Sequence, residues 1–140
     1  MTVRALVQRV AKAAVSVEGA TVATIGPGML VLLGVRDGDG EREVRRLAGK
    51  LLALRVFQDA QGRINEPLLH REILCVSQFT LYADTRRGNR PSFTEAAPAQ
   101  VAEPLYERFC ELTKAARGVF GADMQVELVG DGPLTVLLEA

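Results

Sequence analysis

The chain has 140 residues, the size of one domain with room for a single sizeable core. Lys plus Arg and Asp plus Glu balance at 17 each, which excludes the strong positive field that holds long stretches of phosphate backbone, so any nucleic-acid partner has to be gripped locally. The two cysteines lack disulfide spacing and read as reduced core thiols, no run approaches the roughly 20 apolar residues of a membrane span, and the N-terminus lacks the apolar region of a signal peptide, so a single soluble domain over residues 1–140, in the cytoplasm, is expected.

Strand signals come first, at about residues 4–10, 13–17, 21–25 and 29–34, divided by the turn formers Glu18-Gly19 and Gly26-Pro27-Gly28, and they read as a β-meander. Over residues 41–54 the apolar Val44, Leu47, Ala48 and Leu51 recur at helical spacing among charged neighbours. That spacing predicts an amphipathic helix lying on a sheet, with Asp39 as the capping candidate. A strand near residues 55–57, a loop and the apolar run of residues 72–76 follow. A second helix is predicted over about residues 98–117, with Ala102, Leu105, Tyr106, Phe109 and Leu112 on one face. Pro104 within it either kinks the helix or marks a later start. Residues 124–129 and 134–138 make a closing strand pair. Strands, helix, strand, helix, strands is an α/β plan.

Two segments place polar or conformationally special residues at strand ends, where a small core calls for plain hydrophobes: Ser77-Gln78-Phe79-Thr80 and Asp131-Gly132-Pro133-Leu134-Thr135. Strand-end loops commonly carry function, and the two read as halves of one site. Ester hydrolysis through a Ser-His-Asp system, a Cys-His pair or a zinc-bound water needs histidines or clustered ligands. The chain has one histidine, His70, in a turn-like stretch that reads as solvated surface. No metal and no other cofactor are expected. Ser77 and Thr80 are the available hydroxyls, but no base visible in the sequence activates them, and hydrogen bonding at a strand end accounts for both equally. Arg86, Arg87 and Arg90 crowd one loop, and their forks suit phosphate oxygens; a solvated loop has the same composition.

Ser77-Gln78-Phe79-Thr80 and Gly132-Pro133-Leu134-Thr135, taken with Gln8-Arg9-Val10, Arg90-Pro91-Ser92-Phe93 and Phe120-Gly121-Ala122-Asp123-Met124, resemble the motifs of the D-aminoacyl-tRNA deacylase family. They stand in the family's order and span essentially the whole chain. The resemblance implies an α/β fold built as a three-layer sandwich of two packed β-sheets with two main helices on one side, a layering that pattern alone does not yield. It implies hydrolysis of the ester of D-aminoacyl-tRNA in a pocket of Ser77, Gln78, Phe79 and Thr80. That pocket holds the terminal adenosine, with Thr80 positioning and the ribose 2′-hydroxyl assisting, so no triad is needed. Backbone N–H groups can stabilise the developing oxyanion.

The same resemblance implies a cis Gly132-Pro133 bond whose carbonyls enter the partner subunit's pocket across a homodimer and exclude L-aminoacyl groups. Glycine lacks the offending group, which extends the implied substrates to glycyl-tRNA mischarged on tRNA-Ala. Arg9 is implied as the residue orienting Gly132-Pro133, with Thr135 in the same selective set, and the partner is the tRNA acceptor end. The family's pattern begins Asn-x-Gly-Pro with Val next; here Gly130 and Leu134 hold those places. An Asn that could bond the turn is missing, so neighbouring contacts such as Arg9 must hold the loop. Two other readings remain at this point, a non-catalytic dimeric nucleic-acid-binding module and an esterase with Thr80 as nucleophile.

Overall fold

The computed structural model describes residues 2–140. Strand β1 runs unbroken over Arg4–Val17, where the pattern predicts two strands. Its buried apolar residues fall on Ala5 and Val7, then on Val10, then on Ala13 and Val15. Register shifts on either side of Val10 insert extra residues, which bend the strand and swing its inner face from one core to another. A change of parity looks like a strand break in sequence.

Strand β2 (Ala20–Ile25) pairs with the second half of β1 and β3 (Gly28–Gly34) with its first half, so these strands do not form the predicted meander. The chain then forms α1 (Glu41–Ala53), a small hairpin of β4 (Phe57–Gln58) and β5 (Ile64–Glu66), and β6 (Glu72–Ser77), which lies parallel to β3. A 3-10 helix, Phe79–Tyr82, leads to α2 (Ala99–Thr113) and β7 (Ala116–Arg117), parallel to β6. Strand β8 (Met124–Glu139) is one element rather than a closing pair; it follows the free edge of β1 for its whole length and bulges at Gly130–Pro133 where β1 bends.

Hydrogen bonding joins six strands into one sheet, and the bends fold it into two leaves. Val10, Ala13, Val15 and Ile25 on one leaf pack against Leu30, Leu74 and Val76 on the other. Both helices cover the opposite face of the second leaf through Val44, Leu47, Leu51, Tyr106 and Phe109, packed on Ala5, Val7, Met29, Val31 and Cys75. The result is the three-layer α/β arrangement expected from the motifs. No helix among the described residues is long and apolar enough to cross a membrane.

Helix α1 starts one residue later than the capping candidate implies. Gly40 is the N-cap and donates its N–H to the Glu43 carboxylate at 2.8 Å, while Asp39 is buried and accepts the Arg36 N–H at 2.7 Å. Helix α2 runs through Pro104; Pro104 and Gln100, whose carbonyl loses a donor, both face solvent, where water can replace the bond. It ends at Lys114 in the left-handed conformation, φ 57, short of the predicted Arg117, which lies in β7.

The chain's two tyrosines, Tyr82 and Tyr106, are both buried. Burial pushes the Tyr82 phenol up to about 12, and burial beside Cys75 pushes Tyr106 up too, its hydroxyl donating to the Cys75 carbonyl at 2.8 Å. An unfolded chain gives up these protons near pH 10 whereas the folded one keeps them, so stability is full below that pH and falls as pH rises from 10 through 12. Absorbance at the tyrosinate band should therefore stay flat around pH 10 in the folded protein and rise only near 12 or with unfolding. An ordinary inflection at 10 in native protein would contradict the burial of both rings.

Candidate active site

Ser77 ends β6 opposite Leu33 of β3, and the Gln78 N–H returns to the Leu33 carbonyl at 2.8 Å. The chain then turns into the 3-10 helix, in which the Leu81 N–H reaches the Gln78 carbonyl and the Ala83 N–H the Thr80 carbonyl. The N–H groups of Phe79 and Thr80 are first-turn donors, so no carbonyl within the helix accepts them. Gly34, at the end of β3, makes room for this turn: a Cβ there would stand 3.1 Å from Leu81 Cβ and 3.2 Å from the Gln78 carbonyl oxygen.

Ser77, Gln78 and Phe79 line a cleft of about 570 Å³ together with Phe120, Gly121, Ala122, Asp123 and Met124. Two motifs distant in sequence thus meet in one cavity. Val35 and Val76 line it too, with the small residues Ala97, just ahead of α2, and Ala99 and Ala102 in its first turns. In the sequence Ala102 is legible only as part of the helix's apolar face, and Ala97 and Ala99 carry no signal, because nothing but small size, which leaves space beneath the helix, marks any of them as cleft lining. Asp123 is the one charged side chain among the described lining residues. Phe79 is half exposed and its ring meets Phe93 edge-on, centroids 5.1 Å apart. Thr80 is exposed at the rim, and its hydroxyl accepts a hydrogen bond from the Gln78 amide.

His70 is exposed ahead of β6, and that strand's length, roughly 17 Å at about 3.3 Å per residue, separates its turn from Ser77. Within one chain no imidazole can therefore reach Ser77 or Thr80. Cys75 and Cys110 are buried free thiols, and among the described residues no group of three His, Cys, Asp or Glu side chains is placed to hold a metal ion.

The second predicted half lies elsewhere. Gly132 and Pro133, joined by a cis peptide bond, sit exposed in the β8 bulge. Arg9 holds that bulge although it is almost fully buried: its Nε–H donates to the Asp131 carbonyl at 2.9 Å, its Nη1–H to the Val56 carbonyl at 2.7 Å, and its guanidinium lies 3.5 Å from the Asp131 carboxylate. Gly132 has φ +128, and a Cβ on it would come 2.8 Å from Arg9 Nη2. Thr135 follows on β8 opposite Gln8 and is exposed. Arg9 aligns with Met29 of β3, and Leu33, four residues on, aligns with Ser77. Three inter-strand steps of about 4.8 Å and four residues of about 3.3 Å put Ser77 and Gly132 roughly 19 Å apart. One copy of the chain does not bring the two halves together.

The arginine loop rises beside the cleft, its base closed by paired hydrogen bonds between Asp84 and Ser92. Arg86 grips Asp84 with two bonds of 2.9 and 2.7 Å, and this fork holds the Asp84 carboxyl down at about 2. Arg87 and Arg90 are exposed.

The model of the family described as D-Tyr-tRNA(Tyr) deacylase matches residues 6–139. The chain belongs to that family. It is 51% identical to the D-aminoacyl-tRNA deacylase of Carboxydothermus hydrogenoformans, over 97% of this chain and 99% of that one, and 54% identical to that of Roseiflexus castenholzii, over 98% and 92%. A solved structure of the c-Myc DNA Unwinding Element Binding Protein is 41% identical with a TM-score of 0.93, covering 98% of each chain. A probable eukaryotic D-amino acid tRNA deacylase, 20% identical over the whole of both chains with a TM-score of 0.86, shares the fold. Membership in the deacylase family makes the protein an enzyme, a hydrolase acting on a carboxylic ester bond.

Proposed function

We propose that the cleft at the end of β6 hydrolyses the ester of D-aminoacyl-tRNA to free D-amino acid and tRNA, as a chiral proofreading step in the cytoplasm. The observation that carries this reading is that Ser77, Gln78 and Phe79 and the Phe120–Met124 turn wall a single cleft without a histidine in reach, with Thr80 next in the chain and exposed. An aminoacyl ester is already activated, so positioning and electrostatic stabilisation supply the acceleration. The Phe79 and Thr80 N–H groups receive the charge that develops on the carbonyl oxygen, while Ser77, Gln78 and the Thr80 hydroxyl position the substrate. The terminal ribose 2′-hydroxyl, next to the scissile bond, assists the attacking water.

Handedness is read by main chain. Gly132 and Pro133, held by Arg9 and followed by Thr135, are exposed far from the cleft of their own chain. They act in the cleft of a second copy, in a homodimer whose sites cross between subunits, and leave no room for an L side chain. Glycine passes, so glycyl-tRNA mischarged on tRNA-Ala is a second substrate. Arg86, Arg87 and Arg90 contact phosphates of the acceptor end, Arg86 from within its Asp84 fork.

A second reading, nucleic-acid binding without hydrolysis, is favoured by the name of the 41% identical structure; the balanced charge of the chain weighs against it. Release of tyrosine from D- and L-tyrosyl-tRNA, repeated with a 2′-deoxy terminal adenosine, separates the readings. The D ester should be cut and the L ester spared, and the deoxy substrate should react slower by on the order of 10²-fold, the size of one lost transition-state interaction. Equal release of both enantiomers would end the chiral reading. An undiminished deoxy rate would hand the chemistry to Thr80, and no hydrolysis with retained DNA binding would favour the second reading.

A further inference from the structure

We infer that Arg4 is a positioning residue for hydrolysis, acting through the 3-10 helix Phe79–Tyr82; the inference rests on the function proposed above. Arg4 stands at the start of β1, with Gly34 as its partner on β3 and Glu139 on β8. Its Nε–H donates to the Glu139 carboxylate at 2.8 Å, its Nη1–H to the Leu81 carbonyl at 2.9 Å, and its guanidinium carbon lies 4.6 Å from the centre of the Tyr82 ring. One side chain therefore ties the edge strand to the last turn of the helix whose first turn carries the Phe79 and Thr80 donors.

A 3-10 helix of four residues has few internal bonds of poor geometry, so outside contacts must set its orientation. Leu81 lies near its end, where a carbonyl has no partner within the helix; a guanidinium supplies a charge-assisted donor there and an attraction to the ring face beside it. Gly34 opens the path, because a Cβ on this neighbour of Arg4 would meet Leu81 Cβ at 3.1 Å and Tyr82 Cε2 at 3.2 Å. Tyr82, 3% exposed, pins the helix from below. The Arg4 side chain is itself one-third exposed, so its removal opens no cavity in the core. What it governs is the placement of two oxyanion donors, to which rates respond steeply.

Kinetics of R4A and R4K on D-tyrosyl-tRNA, with amide hydrogen exchange on the same proteins, tests the inference. R4A should lower kcat by on the order of tenfold, a fraction of the roughly 10²–10³ lost when an oxyanion donor is removed outright, with little change in KM. R4K, which keeps one donor within reach of the Leu81 carbonyl, should recover part of the loss. Exchange in R4A should quicken at the Leu81 and Ala83 amides and stay slow across β1 and β3. Unchanged kcat in R4A, or exchange that quickens evenly through the core, would overturn the role of Arg4 while leaving the cleft's function intact. A wild-type protein inactive on every aminoacyl-tRNA would overturn both.

Discussion

Replacing Arg9 with methionine should lower the melting temperature by about 10 °C and raise the release of L-amino acids relative to D. Arg9 is 5% exposed, and its guanidinium donates to both the Val56 and Asp131 carbonyls. Methionine keeps the apolar stem and removes both bonds. Charged hydrogen bonds contribute roughly 1.5–3 kcal/mol each, so a loss of about 3 kcal/mol is a cautious expectation. Lysine should not restore the protein, because one ammonium cannot reproduce a fork that reaches two carbonyls. Without its anchor the Gly130–Pro133 bulge is tied to β1 only at its ends, opposite Val10 and Gln8, and under the proposed function a loosened wall excludes less. Thermal melts and the D-to-L release ratio check both halves. A melting point within 2 °C of wild type would refute the energetic part, and an unchanged ratio the functional part.

The other large effect is expected at Gly28, where β3 and β6 begin their parallel pairing. A Cβ on Gly28 would lie 1.8 Å from the Glu72 carbonyl oxygen, 2.7 Å from its carbon and 2.8 Å from its nitrogen. All three atoms are backbone, so no rotamer change relieves the clash; the strands must part. Gly28→Ala therefore gives up the first rungs of the ladder and the bond from the Glu72 N–H to the Pro27 carbonyl. The cost should exceed about 4 kcal/mol, a range reserved for core disruption and strain, and soluble yield should fall. Gly49→Ala is the matched control: it lies in α1 with nothing within 4 Å of the added carbon, so it should stabilise by roughly 0.5–1 kcal/mol. If the two variants melt alike, the backbone contact at Gly28 does not limit the side chain there.

Sequence patterns carry these two glycines unequally from the rest of the fold. Helices α1 and α2 were legible because Val44, Leu47 and Leu51, and Tyr106 and Phe109, repeat at helical spacing and all face the core. The turn at Gly26-Pro27-Gly28 was legible as punctuation, but not the 1.8 Å approach, since composition does not say which strand arrives beside it. The continuity of β1 and β8 was hidden because their bends change the parity of buried residues, and the path of β8 beside β1 joins positions over a hundred residues apart. The motif Ser77–Thr80 stood out as polar residues at a strand end. Arg4 did not, because a charged residue early in a strand reads as an outward cation until Leu81 is seen to lie beside it. The same holds for Asp39, whose apparent capping role gave way to a bond with Arg36 once Gly40 began the helix.

None of the three residues of the tether, Arg9, Val56 and Asp131, is among the described residues that line the cleft with Ser77 and Phe120. On the proposed reading, discernment and cutting can therefore be lost separately. A chain that loses its blade merely lets errors through. On the same reading, one that keeps the blade and drops the tether would also cut L-aminoacyl esters, turning a corrective activity against correctly charged adaptors.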